Sequence, residues 1–435
     1  MIRKDDKGQI WSWALYDFAN SAFTTIVVTF IYGTFFTQSI APNEIVGTQW
    51  WSWAISFTAI MVAFSSPFLG ALADLTLFRK KIMLFSTLTC VVATALLFFP
   101  TQGQALLALS IFVIANISFE IGTVFCNAYL PSLVSPHRFG KASGFAWGLG
   151  YLGGLVALVL ALVLLVQTDQ AVFGFAMDTG ENIRATNLLV ALWFLIFSLP
   201  FFLVIKEKKI GHQETLPKHW IKDTFLRLKS TFQSIRNYST ISRFLLARLV
   251  YNDALVTVFA FGGIYAATTI GFSFEEIIVL GIVLNVLAGL GAFLFGRIED
   301  QVGSQKVIQW SIVFLSMACL IAILSPELPG LLQLIFGGNA IPDWLDEKLL
   351  FWISAVLIGL FSGPNQSSSR SMMAFLTPQE KHNEFFGFYA FSGKATAFVG
   401  PILFGWATAY FNTQQAGLLV IMGLFVVGYI LLRKV

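Results

Sequence analysis

The sequence predicts an all-α polytopic membrane protein, with twelve transmembrane helices in two pseudo-symmetric six-helix bundles. Three observations carry that reading. Apolar residues make up 57% of the 435 and charged residues only 11%, too few to cover a water-exposed surface of this size. The apolar residues fall in runs long enough to cross a bilayer as helices, without the alternation of barrel strands. Short polar signals of the first half return in the second at the same relative places.

Taken in order, the runs predict spans at 11–36, 50–73, 82–99, 105–130, 142–166, 187–205, 244–269, 276–295, 307–325, 350–375, 386–411 and 416–432. The even number puts both termini on one side. Of the 27 Lys and Arg residues, 22 fall in loops on the side of the termini and two, Arg184 and Lys348, on the other; Arg248, Arg370 and Lys394 lie inside spans. Basic residues are retained in the cytoplasm, so both termini are expected there, with a bacterial inner membrane as the location. The net charge of +4 has this topological origin and does not point to nucleic acid. The polar N-terminus and the full-length first run predict no cleavable signal.

The longest connection on the side of the termini divides the spans six and six, giving an N-terminal bundle (1–206), a linker (207–242) and a C-terminal bundle (243–435). Within the linker Ile221, Phe225, Leu228, Phe232 and Ile235 recur at steps of four and three, with Lys222, Lys229 and Arg236 off the stripe. That pattern predicts a basic amphipathic helix, lying on the inner leaflet or packed under the bundles as a strut.

Several chemistries are excluded. Cys90, Cys126 and Cys319 lie in apolar runs and read as small buried hydrophobes, not a disulfide framework. All four histidines lie in polar loops, so neither a metal cluster nor a catalytic His can be assembled in the membrane, and no enzyme, metal or cofactor is expected. No phosphate-cradling Gly-rich loop is present for ATP-driven pumping.

Six ionisable residues sit within spans: Asp17, Glu120, Arg248, Asp253, Arg370 and Lys394. A charge at the bilayer centre costs about 2.5 to 3.5 kcal/mol on insertion scales, so such groups are kept where they meet water or one another. Counting ~1.5 Å per residue, Asp17, Arg248 and Arg370 lie roughly 6 to 10 Å inside the termini-side boundary, whereas Glu120 and Asp253 fall nearer the midplane. The tenth span is the most polar: Ser362 to Ser371 contains Pro364, Asn365, Gln366, Ser369 and Arg370. Pro364 removes a backbone hydrogen bond and invites a kink, which belongs beside water. Glycines at 144 and 148, and at 150 and 154, place small residues at i, i+4 along the fifth span, where another helix can approach closely at a seam between the halves.

Tyr16-Asp17-Phe18-Ala19-Asn20-Ser21 in the first span answers Tyr251-Asn252-Asp253 in the seventh. Gly70-Ala71-Leu72-Ala73-Asp74 with Arg79-Lys80-Lys81 after the second span answers Gly296 to Gly303, containing Asp300, with Lys306 after the eighth. The Gly-x-Leu-Ala-Asp loop with trailing basic residues resembles that of the major facilitator superfamily, although Leu77 stands where a glycine is usual and Arg79 arrives a residue late. The first-span motif, Gly148 to Gly154, Tyr251-Asn252-Asp253, Ser369-Arg370-Ser371, Glu384 to Gly387 and Gly393 to Thr396 are similar to the vacuole-effluxer-like permeases, relatives of the autophagy-related vacuolar amino-acid effluxers. The resemblance implies two six-helix bundles around a cavity lined by the first, fourth, seventh and tenth spans, and a loop motif at Gly70, Asp74, Arg79, Gly296, Asp300 and Gly303.

On that frame the ionisable residues acquire expected roles. Asp17, Arg248 and Arg370 are expected to form a cytoplasmic gate joining the first span to the seventh and tenth. Asp253, with Glu120 second, is expected to couple proton movement to transport, because a desolvated carboxylate takes up a proton more readily. Asn365, Gln366 and Ser369, faced by Asn20, Ser21, Asn127 and Asn252, are the expected substrate contacts. Lys394 is expected to bind an anionic group or to pair with a carboxylate on the second, seventh or tenth span. The expected function is alternating-access secondary transport of a small polar solute, an amino acid or small organic acid, by a monomer in the bilayer. The alternatives are export of drug-like or siderophore-like molecules, or a non-transporting receptor that keeps the fold.

Overall fold

In hydrocarbon every backbone N–H and C=O must find its partner within its own segment, so long apolar runs fold as helices. The computed structural model describes residues 5–76, 78–168, 170–206, 219–233, 238–330 and 346–435. The first bundle contains α1 (Lys7–Ile40), α2 (Glu44–Leu75), α3 (Arg79–Leu96), α4 (Ala105–Ala128), α5 (Phe139–Ala161) and α6 (Glu181–Val204). The linker contributes α7 (Trp220–Gln233). The second bundle contains α8 (Ser239–Thr268), α9 (Phe274–Val302), α10 (Ser304–Leu324), α11 (Glu347–Leu376), α12 (His382–Lys394), α13 (Val399–Phe411) and α14 (Gln414–Leu432). Among the described residues, ten stretches are long and apolar enough to cross a membrane. The short α3 stands in place of the third span, and α12 with α13 in place of the eleventh.

Local sequence sets the helix starts. Asn43 accepts from the Val46 amide to open α2, Asp346 from the Leu349 amide to open α11, and Ser273 with Glu276 forms a reciprocal capping box at α9. Hydrogen bonding in α1 widens to π-helical pitch over Phe23–Phe30, a local loosening often found in helices that line functional sites.

Small residues set where the halves meet. A Cβ on Gly144 would strike the Ala292 carbonyl and Gly296 of α9, and Gly148 faces Gly289 on the same helix. On the other edge Gly70 of α2 abuts Asn383 and Glu384 of α12, and Gly387 abuts Ser66 and Pro67. Two seams, α5 with α9 and α2 with α12, therefore join the bundles. Gly150 and Gly154 turn away from this interface and pack against Asp17, Ser21 and Thr25 of α1.

Pro364 lies within a continuous α11 and frees the Leu360 carbonyl four residues back. Gly291 of α9 packs directly on that oxygen, with no room for a Cβ. Close approach of a glycine Cα–H is one of the few contacts apolar surroundings can offer a freed carbonyl. The eleventh span, predicted as one run, is instead broken between Lys394 and Val399, because Pro401 cannot donate to the Ala397 carbonyl.

In α7 the side carrying Thr224, Arg227 and Thr231 is turned inward, while Ile221 and Phe225 are exposed and Phe225 leans on Phe68 of α2. The helix is a strut by its polar side, with Ile221 and Phe225 of its apolar stripe turned outward and Leu228 half-buried. Of that stripe Ile235, and the side chain of Phe232, lie outside the described residues, as does Leu77.

Candidate functional site

The densest polar contact between the halves is built on Arg370 of α11. Its guanidinium is 1% exposed and pairs with Asp17 of α1 at 2.7 Å. It also donates to Asn127 Oδ1 at 3.1 Å, Ser143 Oγ at 2.8 Å and the Ser143 carbonyl at 2.8 Å. Trp13 and Trp147 face it from 4.7 and 5.7 Å. Three helices of the first bundle, α1, α4 and α5, thus hold one side chain of the second. A buried guanidinium is tolerable only with this degree of satisfaction, because its desolvation must be offset by paired charge and by donors that all find acceptors. The Cys126 thiol lies 3.8 Å from the other oxygen of Asp17, completing the lining.

Beyond this knot, away from the termini, a second ion pair crosses the halves. Lys394 of α12 meets Glu120 of α4 at 2.6 Å, their side chains 35% and 17% exposed. The carboxylate partner of Lys394 therefore comes from the fourth span, not from the second, seventh or tenth. Lys394 is also the last residue of α12, where a cation favours the negative helix end.

The residues around the helix break explain the polar run in α8. Asp253 accepts from the Gly400 amide at 2.9 Å and so caps the first turn of α13. Asn252 donates to the Gly393 carbonyl at 3.2 Å, and Arg248 donates to the Tyr389 carbonyl at 2.7 Å and lies over the Tyr389 ring. One helix thus satisfies both ends of a discontinuous partner. The three-residue layer expected of Asp17, Arg248 and Arg370 contains only two of them: Arg248 faces α12 within its own bundle. Asp253 is 3% exposed, and its second oxygen, Oδ1, has no hydrogen-bond partner.

The loop motifs form a pair of crossed caps. Asp74 accepts from the Asn383 and Glu384 amides at 3.2 and 2.8 Å, and from the Asn383 side chain at 2.7 Å, at the start of α12. Arg227 of α7 reaches the same place, 3.1 Å from Glu384. Asp300 accepts from the Lys141 amide at 3.2 Å at the start of α5. Carboxylates favour helix N-termini, and here each bundle supplies one to the other. Arg79 instead stacks on Tyr129 at 3.2 Å, Gly303 takes a φ of 91° at the turn into α10, and Gly296 meets Gly140 and Gly144 across the seam. Among the described residues, no hydrogen bond joins the halves on the face opposite the termini.

A sequence model described as "Vacuole effluxer Atg22 like" matches residues 51–435. The chain belongs to this family. It is 25% identical over 427 residues to YxiO, an MFS-type transporter of Bacillus subtilis (strain 168), covering 98% of this chain and 94% of that one. To autophagy-related protein 22 of Vanderwaltozyma polyspora it is 22% identical over 387 residues, covering 81% and 70%. Among solved structures it is similar to the human organic anion transporter MFSD10, with a TM-score of 0.74 at 14% identity over 99% of this chain and 100% of that one. A bacterial homologue of the iron transporter ferroportin, in its outward-facing state, gives a TM-score of 0.69 at 14% identity, covering 98% of each. These structures share the fold of the major facilitator superfamily transporters.

The remaining expected contact residues divide by exposure. Ser21, Asn127, Asn252 and Gln366 are half-buried, and Gln366 donates to the Tyr151 hydroxyl of the opposite half at 3.2 Å. Asn20, Asn365 and Ser369 are buried; Ser369 bonds Tyr251 at 2.8 Å within its own bundle. Sequence reasoning gave no role to Ser143, Trp13, Tyr151, Arg227 and Glu384, although Tyr151 and Glu384 lie within the motifs that carry the family resemblance. Arg227 and Glu384 also carried the signal of charge at the edge of a membrane segment.

Proposed function

We propose that the chain is a secondary active transporter that moves a small polar solute, an amino acid or small organic acid, by alternating access coupled to protons. The observation that carries the reading is the knot of Asp17, Asn127 and Ser143 around Arg370. It ties the two bundles together on the face of the termini, which the charge bias makes cytoplasmic, while the opposite face has no such tie among the described residues. Opposite charges on two rocking bodies attract only while apposed, so they act as a gate that must part for the cavity to open inward. The half-exposed pair of Glu120 and Lys394 is the place for a solute carrying both charges. A carboxylate of the solute would compete for Lys394, and an ammonium group for Glu120. Asp253, with its unpartnered oxygen at the helix break, is the proton-coupling residue, and Glu120 is second to it. The family description as an effluxer favours export.

The test is counterflow of radiolabelled amino acids and organic acids in proteoliposomes, with and without a pH gradient. Accumulation of at least one class supports the reading, and its absence for all of them overturns it. Asp253→Asn keeps an oxygen for the Gly400 amide and removes the titrating group. It is expected to retain counterflow and lose gradient-driven accumulation; unchanged accumulation would remove Asp253 from the coupling role.

A further inference from the structure

On its outer side, the seam between α5 and α9 opens into a groove of about 280 Å³, lined by Phe145, Gly148, Leu152, Val286, Gly289 and Phe293 among others. Along α5 the lining runs from Phe145 to Leu155, ten residues or ~15 Å of helix, which is half of a hydrocarbon core of ~30 Å. The groove is thus as long as one leaflet is deep. Leu152, Val286 and Phe293 are 49%, 41% and 38% exposed, so the groove is open along one side, with Asn285 and Tyr151, the partner of Gln366, on its wall.

Its end nearest the termini is flanked by charge. Lys141 stands one helical turn before Phe145 and Arg297 one turn beyond Phe293, and both are exposed. The Arg297 guanidinium lies over the Phe293 ring at 4.1 Å, and the Lys141 amide, but not its ammonium group, is taken by Asp300. Neither basic group has an ion-pair partner among the described residues. Trp11, 52% exposed, stacks edge-on against Phe145 at 4.7 Å, the placement of an indole at the headgroup boundary.

We infer that this groove binds an anionic phospholipid of the leaflet on the side of the termini. Its phosphate lies between Lys141 and Arg297 and one acyl chain runs along Phe145, Leu152, Val286 and Phe293. Lipid hydrocarbon alone would cover any apolar surface. A cleft one leaflet long, ending in two unpaired cations and a boundary tryptophan, selects a headgroup as well as a tail. The cleft exists because Gly148 and Gly289 meet where larger residues would fill it. The lipid consequently touches both bundles at once and favours the arrangement in which they are closed toward the termini.

The inference does not depend on what the protein transports, and its test is binding. Delipidated protein is given equal amounts of dioleoyl phosphatidylglycerol and dioleoyl phosphatidylcholine in mild detergent, and retained lipid is read by native mass spectrometry. One phosphatidylglycerol is expected to be held in preference. Lys141→Gln with Arg297→Gln should weaken its retention by about thirtyfold, from two lost cations near the phosphate, while Lys141→Arg with Arg297→Lys should keep it. Leu152→Trp, which fills the groove from an exposed position, should expel the lipid with the cations intact. Thermal unfolding without lipid checks that each variant is folded. Equal retention of the two lipids, or phosphatidylglycerol held by the glutamine and tryptophan variants as by the parent, overturns the inference.

Discussion

Two ion pairs bridge the same two bundles and differ in almost everything else. Asp17 with Arg370 is nearly dry, and the arginine spends its remaining donors on Asn127 and Ser143. Glu120 with Lys394 has one hydrogen bond and is partly wet on both sides. A buried pair cannot lose one member cheaply, because the survivor is left charged in a low dielectric, whereas a wetted pair can exchange its partner for water or solute. The contrast separates what holds the halves together from what can take part in binding.

The sharpest way to break that contrast is to remove Arg370. Arg370→Met should destabilise the protein by about 3–5 kcal/mol, because Asp17 is left unpaired in a dry site. Adding Asp17→Asn should restore much of the loss, with thermal unfolding in detergent as the readout; equal stability of parent and single variant would mean the pair is not closed in solution. A smaller loss is expected at the α2–α12 seam. Asp74→Ala leaves the Asn383 and Glu384 amides without their acceptor, at about 1–3 kcal/mol, and faster hydrogen exchange at those two amides should report it. The smallest structural effect belongs to the wetted pair. Glu120→Gln should cost less than about 1 kcal/mol of stability yet strongly reduce counterflow; the reverse pattern, unstable but active, would exchange the roles of the two pairs.

How much of this was legible in the sequence depends on what each feature needs. Spans require only an apolar run, and each of the twelve predicted runs overlaps a helix, the eleventh two of them, with α3 starting at Arg79 because basic side chains at a helix end can reach the interface. The broken eleventh span was hidden because the apolar residues on either side of Lys394 are enough for one continuous run, although Lys394 and Gly400-Pro401 marked the place. Depth could be counted from the span ends for Arg248 and Arg370, but depth does not say which way a side chain points, and the two face different helices. The glycines of α5 show the same limit. Six residues from Gly144 to Gly150 turn the helix by about 240°, so two pairs with the same spacing serve different neighbours. The acids Asp74 and Asp300 were legible as a repeat, but that each caps a helix of the opposite bundle needed coordinates.

Cys126 gives the protein a native reporter. All three cysteines are buried, so a water-soluble maleimide finds no exposed thiol on the closed molecule. Cys90 and Cys319 are enclosed within single bundles, but Cys126 sits against Asp17, beneath the contact proposed above as the gate. On that proposal its labelling rate is expected to follow the fraction of time the two bundles spend separated, with no engineered residue needed.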